Sequence, residues 1–314
     1  MIFTLILLII GFAALYYGAE WLIKGACAIG LRFKLSKSFV GLTLVALGTS
    51  APEFVVNTLA AFRGHTGLAL SNVAGSNLTN LCIGFGLIAL VSTVAIKRRV
   101  FAMDLGFFCL APILVSALFL ISPDRELPYW SLILFAAALG VYLWSLKRRS
   151  RNLDADDAAI GTGLKSFGIF LLGITVLYLG GEMVLRAALG IAKALNLSEA
   201  LIGLTIVAIG TSIPDVVASV IAAKRGEQEI AVGNLIGSNI SNIFFVLGGT
   251  ILAAGRSLQS SGLNVLDFLV LSVFSLVFFG TVAATERTSR LTGITLLALY
   301  LVFILFRVQK GLSL

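Results

Sequence analysis

Charge is scarce in this sequence. Asp, Glu, Lys and Arg make up 12% of its 314 residues, against 59% hydrophobic, and the mean hydropathy is +1.04. Soluble domains carry roughly twice that share of charge, so a water-soluble enzyme or nucleic-acid-binding domain is excluded. Histidine occurs once, at His65, and cysteine three times, at Cys27, Cys82 and Cys109, with no metal-ligand spacing. The cysteines read as small core residues and His65 as a solvated loop residue. Polar connectors are nearly absent. The one strongly polar segment, Lys147 to Asp157, is too short for a regulatory domain. Met1 to Ile10 has no basic region and runs into a full-length apolar stretch, so a cleaved signal peptide is not expected.

What fills the chain instead is apolar runs. Crossing the hydrocarbon core takes about 20 helical residues, and ten stretches qualify: about 2–24, 37–62, 68–96, 100–121, 129–147, 164–186, 199–223, 229–254, 263–283 and 291–307. The expected fold is an all-α membrane protein with ten transmembrane spans. Of its 23 Lys and Arg, sixteen lie in the loops after spans 1, 3, 5, 7 and 9 and seven on the other face. The positive-inside rule makes the first face cytoplasmic and puts both termini outside. The net charge of +8 therefore reports topology.

A phrase in span 2 returns in span 7. Gly41-Leu-Thr-Leu-Val-Ala-Leu-Gly-Thr-Ser-Ala-Pro-Glu53 recurs as Gly203-Leu-Thr-Ile-Val-Ala-Ile-Gly-Thr-Ser-Ile-Pro-Asp215, and Gly75-Ser-Asn-Leu-Thr-Asn80 as Gly237-Ser-Asn-Ile-Ser-Asn242, both at an offset of 162. Tyr16, Gly18, Glu20 and Lys24 recur at the same offset as Tyr178, Gly180, Glu182 and Arg186. In each copy the acid stands four residues before the base, so the two can pair on one helix face. One offset for several blocks marks a duplication: residues 1–147 with a motif at 41–80, a cytoplasmic connector at 148–163, and residues 164–314 with a motif at 203–242. Five spans per copy is an odd number, so the second copy must enter the bilayer inverted, with a site at the midplane where the copies meet.

The repeated phrases place oxygen in apolar sequence. Pro52 offers no N–H to the carbonyl of Gly48, and Pro214 none to Gly210, so spans 2 and 7 are both expected to break or kink there, as discontinuous helices. A backbone break inside the bilayer is tolerated where it faces protein, water or an ion. Thr49, Ser50 and Glu53 project from one helical face, as do Thr211, Ser212 and Asp215. Ser76 and Asn80 share a face, and so do Ser238 and Asn242. These all-oxygen ligands suit Na⁺ or Ca²⁺ rather than zinc or copper. An ionised carboxylate at the membrane centre costs about 3 kcal/mol or more, and a bound cation removes that cost. Glu53 and Asp215 together carry two negative charges, which one Ca²⁺ or two Na⁺ would neutralise. Asp104 and Asp267 lie near the starts of spans 4 and 9, where a carboxylate favours a helix N-terminus, and neither is assigned to transport.

With Gly48-Thr-Ser-Ala-Pro-Glu53 and Gly210-Thr-Ser-Ile-Pro-Asp215 each followed by Gly-Ser-Asn-x-x-Asn, the chain resembles the two alpha repeats of sodium/calcium exchangers, in the calcium/cation antiporter superfamily. The resemblance implies a central calcium site of Glu53, Asn80, Asp215 and Asn242 with Thr49 and Thr211. It implies flanking sodium sites at Ala46, Thr49, Ser50 and Ser76 and at Ala208, Thr211, Ser212 and Ser238. The family places carbonyl ligands at the alanines, whereas the prolines free the carbonyls of Gly48 and Gly210. Position 215 is Asp where archaeal relatives tend to have Glu, and 242 is Asn where archaeal and potassium-dependent exchangers tend to have Asp. The pair resembles the potassium-independent exchangers of animal cells, and K⁺ is not expected as a co-substrate. The family also implies a monomeric plasma-membrane antiporter without cofactors that exchanges 3 Na⁺ for 1 Ca²⁺ by alternating access, spans 1 and 6 sliding across spans 2, 3, 7 and 8.

Other readings meet obstacles in the residues. A proton-coupled calcium antiporter is the nearest, because a carboxylate that binds Na⁺ can also exchange a proton. An intramembrane aspartyl protease also needs two acids, but here they sit in Gly-Thr-Ser-x-Pro rather than Gly-x-Gly-Asp. A channel suits a single compact site less well than alternating access does.

Overall fold

The computed structural model describes residues 2–149, 163–194, 208–260 and 262–312. Its helices are α1 Ile2–Arg32, α2 Lys37–Thr49, α3 Ala51–Phe62, α4 Thr66–Val91, α5 Arg98–Ile121, α6 Ser131–Arg149, α7 Gly163–Ala194, α8 Ala208–Lys224, α9 Gln228–Ala254, α10 Gly262–Thr285 and α11 Arg290–Leu312. Two short strands, β1 Val94–Ala95 and β2 Arg287–Thr288, pair antiparallel. Among the described residues eight helices are long and apolar enough to cross a membrane, or nine when α2 and α3 count as one bent span. The expected seventh span keeps 17 residues, as α8. Its start at 199–207, and residues 150–162 of the expected connector, lie outside the described residues.

Burial sorts the helices into a core and a rim. In α4 and α9, 78% and 83% of the best apolar window is buried, against 33% in α1 and α7 and 28% in α6 and α11. The rim helices turn large apolar side chains such as Ile9, Phe12, Ile133, Leu164 and Leu301 outward, as a lipid-facing surface requires. The two core helices carry the Gly-Ser-Asn motifs.

The longest helix pairing joins α1 to α7. Gly11, Gly18 and Gly25 meet Val184, Leu177 and Phe170, and Gly173 and Gly180 meet Leu22 and Leu15. The numbering falls on α7 as it rises on α1, so the two run antiparallel. A Cβ at Gly25 would lie 2.6 Å from the Phe170 backbone, and one at Gly180 2.7 Å from the Leu15 nitrogen. Lipid supplies no hydrophobic drive between helices, and small residues that let backbones touch supply van der Waals contact instead. Helices α5 and α10 are likewise antiparallel: the Cys109 thiol donates to the Ser275 carbonyl at 3.3 Å, the Ser116 and Ser272 hydroxyls meet at 3.1 Å, and Phe119 packs on Phe268.

Two expectations need correction. Span 2 does bend, by 44° between Thr49 and Ala51, but α8 runs without interruption from Ala208 through Pro214 to Lys224. Proline removes a single intrahelical bond, and the neighbouring bonds of the ladder hold the turn. The second correction concerns Asp104 and Asp267, whose carboxylates are met by arginines rather than by a helix N-terminus. Arg149 donates to both Asp104 oxygens at 3.0 and 2.9 Å. Arg307, itself 3% exposed, reaches Asp267 at 2.7 Å. Each pair ties the fourth span of a half to its fifth.

Filling the glycine seam should separate α1 from α7. Gly173→Leu is expected to destabilise the detergent-purified protein by about 1–3 kcal/mol, seen as a lower thermal midpoint. An unchanged midpoint would show that the seam does not hold the helices together.

Candidate cation-binding site

The bend in span 2 changes what its residues face. Ser50, at φ −86° and ψ 1°, ends α2, and Pro52 falls in the first turn of α3, where its missing N–H costs no hydrogen bond. Glu53 therefore stands in the first turn of α3, where the helix dipole favours a negative charge. The Ala46 carbonyl accepts from the Ser50 amide at 3.0 Å. On the core helices the ladder widens to π-helix at Thr79–Gly84 in α4 and at Asn242–Leu247 in α9. Such widenings recur at functional sites, and these two contain Asn80 and Asn242.

The sequence-selected residues come together in the protein interior. Glu53 is 1% exposed, and Asp215, Asn80, Asn242, Ser76, Ser212 and Ser238 are 0% exposed; Thr49 and Ser50 are also buried. The Asn80 amide donates to Asp215 Oδ2 at 2.8 Å and the Ser238 hydroxyl to Asp215 Oδ1 at 2.9 Å. Glu53 lies near enough to Asp215 for the two charges to repel. The Ser76 hydroxyl meets that of Thr211 at 3.3 Å. Ala208 begins α8, so its backbone belongs to the same helix as Thr211 and Asp215.

A second layer of asparagines positions this set, and it went unassigned from sequence. Asn234 accepts from the Thr49 hydroxyl at 3.1 Å and donates to the Asp215 carbonyl at 3.0 Å and to Ser219 at 2.9 Å. Its counterpart Asn72 accepts from the Thr211 hydroxyl at 3.1 Å. Each copy thus orients the threonine of the other. Asn77 donates to the Asn239 carbonyl at 3.1 Å and accepts from Asn242 at 3.0 Å. The signal was available: Asn72 and Asn234, like Asn77 and Asn239, recur at the offset of 162.

Several oxygens in this cluster have no donor. Ser50 Oγ, both Glu53 carboxylate oxygens, Asn80 Oδ1, Ser212 Oγ and Asn242 Oδ1 are buried without a hydrogen-bond partner among the described residues. An unsatisfied buried polar group costs about 1–3 kcal/mol, more when charged. A cation stripped of water would satisfy several of these oxygens together. Among the described residues no three His, Cys, Asp or Glu side chains form a metal-holding group, so hydroxyls, amides and carbonyls must complete any coordination shell, as they do for hard cations. A narrow cavity of about 50 Å³ leads to the cluster, lined by Pro52, Tyr178, Glu182, Thr211 and Pro214 among others.

Comparison with known proteins agrees with this arrangement. Residues 3–147 and 165–309 match the family described as sodium/calcium exchanger protein. The chain is 34% identical to the putative antiporter CaxA of Alkalimonas amylolytica, over 81% of this chain and 82% of that protein. It is 27% identical to the sodium/calcium exchanger MaX1 of Methanosarcina acetivorans, over 95% and 97%. Among solved structures, the sodium-calcium exchanger NCX_Mj soaked with zero Na⁺ and Ca²⁺ superposes with a TM-score of 0.83 at 27% identity, covering 97% of this chain and 99% of that one. Matched in sequence and in fold over nearly all its length, the chain belongs to the sodium/calcium exchanger protein family.

Proposed function

We propose that this protein exchanges Na⁺ for Ca²⁺ across the membrane by alternating access, with 3 Na⁺ moving against 1 Ca²⁺ and without K⁺. The observation that carries the reading is the set of donor-free buried oxygens on Ser50, Glu53, Asn80, Ser212 and Asn242, all from residues selected by the repeat. Glu53, Asp215, Asn80 and Asn242, with Thr49 and Thr211, would hold Ca²⁺. Ala46, Ser50 and Ser76, and Ala208, Ser212 and Ser238, would extend the set toward two flanking Na⁺ positions. Two carboxylates balance one Ca²⁺ or two Na⁺. The same oxygens therefore serve either load but not both, which couples the two fluxes. A third Na⁺ leaves one net charge per cycle, worth about 2.3 kcal/mol per 100 mV.

Contacts between equivalent residues support an inverted repeat of residues 1–147 and 164–314. Gly11 and Gly18 correspond to Gly173 and Gly180. A Cβ at Gly11 would approach the Gly180 carbonyl, and one at Gly180 the Gly11 carbonyl. Asn77 donates to its own counterpart Asn239. Reciprocal antiparallel contacts of this kind follow from a two-fold axis in the membrane plane. In this reading the loops after spans 1, 3, 5, 7 and 9 face the cytoplasm and both termini lie outside, in the plasma membrane.

In proteoliposomes loaded with Na⁺, uptake of ⁴⁵Ca should follow the outward Na⁺ gradient with no K⁺ present, and Glu53→Gln or Asp215→Asn should each lower it at least about tenfold, the equivalent of 1.4 kcal/mol. Uptake that needs K⁺, or that follows a proton gradient and ignores Na⁺, would contradict the assignment. The same protein in planar membranes should carry a current whose reversal potential moves with the ion gradients. Full exchange without current would refute the 3:1 ratio.

A further inference from the structure

Glu20 on α1 has partners on two elements. Its carboxylate accepts from Tyr16 at 3.3 Å and from Lys24 at 3.5 Å on its own helix. It also pairs with Arg225, 205 residues away in the turn between α8 and α9. The repeat supplies counterparts for both members: an offset of 162 relates Glu20 to Glu182 and Arg63 to Arg225. Arg63 follows α3 as Arg225 follows α8. In the structure, however, Glu182 pairs with Arg186 on its own helix, at 2.7 Å. Exposed Arg63 forms no ion pair among the described residues. The long-range bridge is made in one copy and missing in the other.

The cavity beside the missing bridge is wider than the one of about 270 Å³ lined by Lys37, Gly226 and Glu229 near Arg225. Glu182 lines a cavity of about 530 Å³ together with Thr4, Met183 and Arg186, and it also lines the narrower cavity that reaches Thr211 and Pro214. Glu182 thus borders both cavities, the narrower of which also touches Thr211 of the candidate ion site.

We propose that the two acid–arginine pairs are alternating latches, an assignment that rests on the exchange reading above. Glu20–Arg225 fastens α1 to the turn after α8 and shuts one approach to the site. In the opposite-facing state that bridge opens, and Glu182 leaves Arg186 for Arg63 to shut the other approach. Solvent-accessible pairs contribute only about 0–1 kcal/mol, so replacing one by the other leaves the two states close in energy, as repeated cycling requires. Lys24 and Arg186 complete the device. Each stands one turn from its acid and keeps the carboxylate paired while the distant arginine is away, so no charge is stranded in apolar surroundings.

The test uses the full chain in proteoliposomes with Cys27, Cys82 and Cys109 replaced by alanine. Glu20→Cys and Arg225→Cys form one introduced pair, and Glu182→Cys and Arg63→Cys the other, all four in one protein. On mild oxidation and alkylation of the remaining thiols, intact-protein mass spectrometry should find two alkylated cysteines and one disulfide in each molecule, never two disulfides, with peptide mapping identifying which pair has closed, and either should stop ⁴⁵Ca uptake until reductant is added. Both disulfides in one molecule, or undiminished uptake after the first pair has closed, would overturn the proposal. Arg63→Gln gives a second readout that does not depend on cross-linking, since Arg63 holds nothing together in the conformation described. It should slow exchange about two- to fivefold with ⁴⁵Ca binding unchanged, and an unchanged rate would count against the latch. The cysteine-free parent separates the two levels of inference: absence of Na⁺-driven uptake there overturns exchange itself, whereas mutual exclusion of the disulfides tests the latches independently.

Discussion

Two carboxylates enclosed in an apolar slab must be neutralised, by a cation or by protons, and the oxygen-rich cluster around them answers that requirement. Glu53 and Asp215 are 1% and 0% exposed, in a setting where each ionised acid costs about 3 kcal/mol or more. The protein treats the two unequally. Asp215 is anchored by Asn80 and Ser238, and its backbone carbonyl by Asn234. Neither oxygen of the Glu53 carboxylate has a donor among the described residues, and its position in the first turn of α3 offers only the helix dipole as compensation. Asp215 is thus held in place without an ion, while Glu53 has most to gain from one.

Around this pair the chain is symmetric in sequence and asymmetric in conformation. The same phrase bends span 2 by 44° and leaves α8 unbroken. The same acid and arginine meet at Glu20 and Arg225 and stay apart at Glu182 and Arg63. A transporter built from two inverted copies has two ways of assigning two local conformations to its halves, and each assignment opens one face. The glycine-lined contact of α1 with α7 suits such movement. Closely apposed backbones with few interlocking side chains present little steric obstacle to sliding, and the core of α4 and α9 can remain fixed.

Much of this was legible in the residues, because the features that mattered were expensive ones. Oxygen-rich motifs inside apolar runs need a reason, and the repeat at an offset of 162 selected the set that the fold gathers. What escaped has physical causes. The effect of Pro214 depended on the bonds flanking Gly210, which the residue pattern does not specify. Asp104 and Asp267 were read from their places near helix starts, yet their partners Arg149 and Arg307 sit 45 and 40 residues away and become neighbours only through tertiary packing. Glu20 was matched to Lys24 by helical spacing, while Arg225 lay beyond any local rule. The π-helical turns at Asn80 and Asn242 have no signature in composition. Asn72 and Asn234 could have been found, since they recur at the same offset as the assigned residues.

The central claim is that one set of buried oxygens, closed around Glu53 and Asp215, holds either calcium or sodium and never both. Equilibrium binding of ⁴⁵Ca to the detergent-purified protein, titrated with NaCl against an equal ionic strength of choline chloride, tests it most directly. The account predicts that Na⁺ displaces ⁴⁵Ca competitively and with a Hill coefficient above one, because more than one Na⁺ replaces each Ca²⁺. Calcium binding that is indifferent to Na⁺ while transport proceeds would contradict it.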